Sequence, residues 1–393
     1  MKVSLVPPSF RPVKQEGTVL PGMPLLALGG PRLVLGWKPD DLAEPLAPAA
    51  TSLFGPRGAC LHPDGSLWIA DTGHHRLLGW RKIPEVDNAP ADILIGQPSF
   101  DREGRNAKGA PGAATLNVPT GICAWRGGLA VADAWNHRVL IWNTPPTRRN
   151  QPADIILGQS SAETVLANRG ADHPDAVSMH WPYGIAEIAD RLVVCDSGNR
   201  RVLVWNDPRE TGQVADLVLG QHGFESRDEN AGGEVSALSM RWPHGAAWWN
   251  GQLAIADSGN NRVMVWNGFP SQHGAPCDTV LGQADATHCD HNMSSYYPSA
   301  RAVNMPYAVA AAGQRLIVAD TANSRLLGWG DNATGGPASW LSCQPDFASK
   351  GDNRWGVAER DSLCWPYGLS ARGDLLAIAD SGNNRVLLWE LAP

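Results

Sequence analysis

A surplus of positive charge is missing from this 393-residue chain, which has 32 Lys and Arg against 39 Asp and Glu, a net charge of -7. Binding to nucleic acid regardless of sequence needs a cationic field that displaces counterions from phosphates. The pairs Arg148–Arg149 and Arg200–Arg201 are isolated, so nucleic acid is not the expected partner. Long apolar runs are missing too. The first residues, MKVSLVPPSFRPVKQ, hold no apolar core of seven residues before their prolines, which speaks against a signal peptide or a membrane span. The seven cysteines are odd in number and include no CxxC pair, which argues against a disulfide framework and for reduced thiols in a cytoplasmic protein. No G-x-S-x-G, HExxH, P-loop or dinucleotide fingerprint occurs, and no cofactor is expected. The tightest group of metal-type residues, His288-Cys289-Asp290-His291, fits no standard zinc spacing, and no metal site is expected. Phe and Tyr are scarce at 6 and 5, whereas Trp numbers 17, a bias that needs a positional cause.

That cause is a repeat. Trp181–Trp205 reads WPYGIAEIADRLVVCDSGNRRVLVW, and close copies span Trp242–Trp266 and Trp365–Trp389. Three more begin near Pro56, Pro119 and Pro306. The aspartates Asp71, Asp133, Asp196, Asp257, Asp320 and Asp380 are spaced by 62, 63, 61, 63 and 60 residues. An arginine follows each by five and a tryptophan by nine, and a proline precedes each by fourteen, or fifteen in the first copy. Each copy but the last holds four short runs rich in β-branched residues, bounded by Gly, Asn and Pro, which predict four strands. In the third copy these are Gly184–Glu187, Arg191–Asp196, Arg201–Trp205 and Asp216–Gln221. The DSGNNR segment predicts a hairpin turn in which Asn and Gly supply the positive φ.

Six such sheets in tandem predict an all-β, six-bladed β-propeller. The sixth copy lacks its fourth strand, because the sequence ends four residues after Trp389. Leu33–Trp37, LVLGW, resembles the fourth-strand run at Leu217–Gln221, so residues 33–37 are expected to complete blade six and close the ring. The organisation expected is an N-terminal extension over 1–32 and a single propeller over 33–393, with blades starting near residues 56, 119, 182, 243, 306 and 366. PGMPLLALGG, within the extension, is a candidate further edge strand.

The six Asp/Arg pairs read as framework, since an active site does not repeat around a scaffold. An asparagine nine residues after each LGQ glutamine (Asn106, Asn168, Asn230, Asn292, Asn353) reads as a loop stabiliser. Information on function lies where the copies disagree. The residue after each proline, expected at the mouth of the central channel, is Arg57, Thr120, Tyr183, His244, Tyr307 or Tyr367. Trp135 replaces the turn glycine of blade two, and His74 and His75 occupy that turn in blade one. These nine residues are the candidate binding residues. The long fourth-to-first connections share a face with the turns, and long loops on one face mark the expected recognition surface.

The pattern PxG…(L/V)xVAD-SGNNR-V-x-x-W, quoted from Pro182–Trp205, Pro243–Trp266 and Pro366–Trp389, resembles the NHL repeat, with the likeness running from Leu33 to Trp389. The resemblance implies a platform for proteins or RNA. Related propellers include lyases and lactonases that carry metal ligands around the channel, and the ring here offers one histidine and no carboxylate. Copy five departs most, with Ala308 and Ala322 in place of Gly and LSCQ in place of LGQ. The long-insert, LGQ-bearing form is similar to bacterial NHL proteins, among them the nitrogenase-associated type, which implies a metalloenzyme such as a nitrogenase component as protein partner. The function expected is a non-catalytic protein-binding scaffold acting through the long-loop face. The alternatives are a channel-centred enzyme and an RNA-binding platform.

Overall fold

Strands of three to seven residues rich in Val, Ile and Leu leave both faces apolar, and such sheets are stable only when covered on both sides. The chain satisfies this with a ring. The computed structural model describes residues 22–36, 47–330 and 335–393, and in it six sheets of the expected antiparallel order stand around one axis. Six apolar clusters fill the six interfaces between blades; one joins Val139, Ile141 and Trp125 of blade two to Val194, Leu203 and Trp205 of blade three. The chain is an all-β, six-bladed propeller.

Ring closure uses the N-terminal strand. Leu33–Leu35 pairs antiparallel with Val386–Leu388 as the outer strand of blade six, and Trp37 lies outside the described residues. The described part of the expected extension is built into the ring. Met23–Pro24 runs parallel to Trp340–Leu341 and adds a fifth strand to blade five. Leu25 and Leu26 are buried between blades five and six. Trp389 donates its indole N–H to Ala27 O at 2.7 Å.

The repeated residues act as one bracket per blade, seen in blade four. Asp257 Oδ2 accepts from Arg262 Nε at 3.1 Å, and Asp257 Oδ1 accepts the Arg241 N–H at 2.9 Å. The Arg262 guanidinium then donates to the carbonyls of Ser236, Ser239 and Ala286 on two long loops. Across the six copies the Nε–Oδ2 distance is 2.6–3.1 Å and neither side chain has any exposure. The loop asparagine pairs with the turn asparagine, Asn260 Nδ2 donating to Asn230 Oδ1 at 2.8 Å. Gln283 Nε2 donates to Asn261 O and Asp290 O at 2.9 and 2.8 Å. The six tryptophans at the ends of the third strands are buried, and each donates its N–H to a loop carbonyl, as Trp266 does to Ala275 O at 3.0 Å.

Two local expectations change. In blades two to six the turn is one turn of 3-10 helix, and the positive φ falls on the residue after the asparagine, His137, Arg200, Asn261, Ser324 or Asn384; in blade one it falls on His75, after His74. Gly198 is needed for close approach instead, since a Cβ there would lie 2.4 Å from His180 O. In blade five Cys343 holds φ 71, where Gly96, Gly158, Gly220 and Gly282 hold the same turn; this is the cost of LSCQ, because a Cβ disfavours the left-handed region.

Candidate recognition face at the closed end of the channel

Five inner strands start at their proline on the long-loop face, and that of blade one starts at Gly58, two residues after Pro56, so the residue after each proline projects toward the axis. Five of the six are large, and they meet. Tyr183 and Tyr307 each lie 4.3 Å from the His244 ring, centroid to centroid, and Tyr307 lies 4.5 Å from Tyr367. The Arg57 guanidinium carbon sits 4.9 Å from the Tyr367 centroid and 5.8 Å from that of Tyr183, within cation–π range. The expected open mouth is therefore a lid. Below it the inner strands crowd: a Cβ on Gly121, Gly184 or Gly368 would come within 2.1–2.5 Å of a neighbouring backbone oxygen.

The lid divides two hollows. The channel beyond it, ≈ 480 Å³, opens toward the opposite rim and is lined by Cys60, Cys123, Ala186, Trp248, Glu187 and Arg372 among others. On the long-loop side a groove of ≈ 660 Å³ lies over Tyr183, His244 and Tyr307. Its walls carry Trp135, Trp181, Trp242, His180, Arg200 and Arg227. The three indoles are 41%, 49% and 39% exposed, against full burial of the framework tryptophans. Trp135 stacks under Arg105 at 4.5 Å and Trp242 under Arg241 at 5.2 Å.

Charge states follow from burial. Desolvation, helped by the Arg57 charge and opposed by the Trp242 carbonyl bond, pushes the His244 pKa down to about 4, so the ring is neutral. Its Nδ1 bonds Trp242 O at 2.8 Å as donor, which leaves Nε2 as an acceptor. Desolvation likewise takes His137 down to about 4 and lowers His180 and His75. Tyr183, Tyr367 and Tyr307 raise the pKa of Arg57 against the opposing effect of its burial.

The sequence profile of the NHL repeat matches residues 55–80 and 116–142, in blades one and two. The chain carries NHL repeats. No curated protein sequence matches the chain. Among solved structures of similar shape is a catalytically inactive virginiamycin B lyase from Staphylococcus aureus with quinupristin (12% identity over 94% of this chain and 98% of that one, TM-score 0.46). Two others are the PQQ-bound aldose sugar dehydrogenase from Streptomyces coelicolor (14%, 89% and 98%, 0.45) and a chain of the mitotic checkpoint complex (11%, 100% and 98%, 0.45). At these values they bear on neither activity nor partner.

In this propeller the nine candidate residues separate into three groups. Arg57, Tyr183, His244 and Tyr307 meet at the axis and face the groove, with Trp135 on its wall, while Tyr367 completes the lid. Thr120 lies at the groove but has no exposed surface, and His74 is fully buried outside it. Thr120 Oγ1 donates to Tyr183 O at 2.9 Å. It compensates for Ala134, since the hydroxyls at the equivalent turn position, such as Thr72 and Thr321, donate to the next blade's proline carbonyl at 2.7 Å. His74 takes the asparagine's place, its Nδ1 2.8 Å from Asp71 Oδ2. His75 is committed to the frame, its Nδ1 accepting the Val118 N–H at 3.0 Å.

Trp181 and Trp242 were missed as candidates, and so was Trp365, 36% exposed on the same rim. Their signal was in view as the tryptophan before the proline in three copies, while the other copies have Gly55, Val118 and Met305 there. The framework does not demand an indole at that place. His288 and His291 turn to separate partners, Asp285 and Asn304. Among the described residues no three of His, Cys, Asp and Glu are grouped to hold a metal ion, and no helix is long and apolar enough to cross a membrane.

Proposed function

We propose that this NHL-repeat propeller is a non-catalytic recognition platform that binds another protein through its long-loop face. The observation that carries the reading is the exposed triplet Trp135, Trp181 and Trp242 around a groove whose floor is the closed lid. Large apolar side chains so exposed on one concave patch are the usual anchors of protein interfaces, where tryptophan and arginine dominate the binding energy. The rigid scaffold holds them without ordering cost, since both backbone neighbours of each indole belong to bracketed turns or strand starts. The resemblance to nitrogenase-associated NHL proteins makes a nitrogenase component the first purified partner to offer.

The test is affinity purification from the native host with mass spectrometry, using the wild-type chain and a Trp135→Ala/Trp181→Ala/Trp242→Ala variant. A partner enriched by the wild type and lost by at least tenfold in the variant, with an unchanged melting curve, is the expected result. Equal enrichment by both, or none by either, overturns the reading. The competing reading is an enzyme working in the channel, favoured by the hollow open at the far rim. Beyond the lid, Glu187 and Arg372 are the charged residues that line that hollow among the described residues, and a stoichiometric metal in the purified protein would favour it over a platform.

A further inference from the structure

The arginines of this molecule are usually spoken for. Six are locked to aspartates, Arg241 pairs with Glu229 at 3.0 Å, and Arg354 with Glu359 and Asp361. Arg57 has no such partner: its guanidinium faces the rings of Tyr183 and Tyr367, and no carboxylate or carbonyl among the described residues accepts from it. It is largely buried, on the axis, at the floor of the tryptophan groove. A cation drawn out of water without an anion is costly, and a guanidinium holds five donors in a planar fork suited to a carboxylate.

The surroundings do not supply the missing charge. Arg200 and Arg227 line the same groove, and Arg200 Nε is buried without a hydrogen-bond partner. Of the two carboxylates on the rim, Glu229 is taken by Arg241, which leaves Asp228 against three cations. His244 and His180 add no charge of either sign near neutral pH. An occupant that complements this groove is anionic at its centre and apolar around it.

We propose that Arg57 is the seat of an aspartate or glutamate side chain presented by the protein partner, with Trp135, Trp181 and Trp242 holding the apolar residues on either side of that acid. The proposal rests on the platform reading and narrows it to acidic–apolar segments. The contribution of the acid is specificity: a neutral residue at that place leaves the cation largely buried without an anion.

The test pans the full chain against amide-capped random dodecapeptides, with a free-acid set in parallel, and sequences what is retained. Wild type is expected to enrich Asp or Glu next to a large apolar residue in the amide-capped set. Arg57→Gln loses that acid preference by tenfold or more, and Arg57→Lys retains a weaker one, which separates lost charge from lost folding. Capture with no acid preference, or with the same preference in Arg57→Gln, overturns the seat and leaves the platform standing. Enrichment confined to free-acid peptides assigns the seat to a chain terminus and overturns the side-chain proposal. If no peptide is captured by any form, the platform reading and the seat both fall.

Discussion

Six arginines lie buried beneath the long-loop face, each against an aspartate, and a seventh lies on the axis with none. The first six tie loops. Each forms its ion pair, and five of them then donate to carbonyls of two neighbouring loops, as Arg262 does to Ser236, Ser239 and Ala286; Arg385 donates to Ser362 O. Their value is geometric more than energetic: burial holds the Asp133 and Asp380 carboxyls above their usual range even with Arg138 and Arg385 beside them, so desolvation outweighs attraction there. Arg57 has the opposite character. No carboxylate or carbonyl among the described residues takes its donors, and the Tyr183 and Tyr367 side chains keep it in place. A repeated arginine with a carboxylate partner builds the scaffold; a single arginine without one is the place proposed for the partner's acid.

That contrast breaks most sharply on stability. Asp257→Ala leaves Arg262 buried and unpaired and is expected to cost about 3–5 kcal/mol in urea or guanidinium unfolding. Adding Arg262→Met, an apolar side chain of similar length, recovers most of the loss. Arg57→Gln removes a cation that has no partner and shifts stability by less than about 1 kcal/mol. An equal, large loss from Arg57→Gln would make the axial arginine a framework residue and erase the distinction.

Most of the framework was legible because it repeats. Asp at a fixed place, Arg five on, Trp nine on and the loop asparagine recur whatever surrounds them, and the structure uses each in the same way in blade after blade. Side-chain reach was not legible. Arg57, Tyr183, His244, Tyr307 and Tyr367 read as a ring around an opening, yet they are long enough to touch across the axis, while Thr120 is short enough to be covered. His74 and Thr120 varied from copy to copy for framework reasons, one replacing an asparagine and the other making up for Ala134. Variation therefore marked both ligand-facing residues and local repairs, and only burial tells them apart.

Acid sharpens the comparison next. His137 and His244 have folded pKa values of about 4, below the unfolded value of about 6.5. Between those values the unfolded chain binds protons that the folded chain refuses, so stability is full above about pH 6.5 and falls as pH drops toward 4. Each tenfold difference in proton affinity between the two states is worth about 1.4 kcal/mol, so the loss is on the order of 3 kcal/mol per histidine. His137 Nδ1 also accepts the Trp181 N–H at 3.1 Å, a contact that protonation removes. His137→Asn should flatten the pH slope while keeping the fold, because Asn261 accepts the Met305 N–H at the same place, at 2.9 Å. An unchanged slope would mean that His137 already titrates normally in the folded chain.

The smallest effect separates a tryptophan kept for recognition from one kept for packing. Trp181 holds φ 52 immediately before Pro182, a backbone state that a bulky residue adopts only under constraint and that glycine adopts freely. Gly55 occupies the same place in blade one with φ 52. Trp181→Gly removes that strain and gives up little burial, since the indole is half exposed. It should raise stability by about 0.5–1 kcal/mol while weakening the partner. Trp242 lies outside the left-handed region because Arg200 offers no acceptor to its N–H, which bonds Asp257 Oδ1 at 3.3 Å instead. Trp242→Gly relieves nothing and adds the entropy cost of glycine, so it should move stability the other way by a similar amount. If both variants lose stability alike, the indole of Trp181 is part of the packing; if they diverge as expected, the chain tolerates strain at Trp181 to keep an aromatic side chain facing the groove.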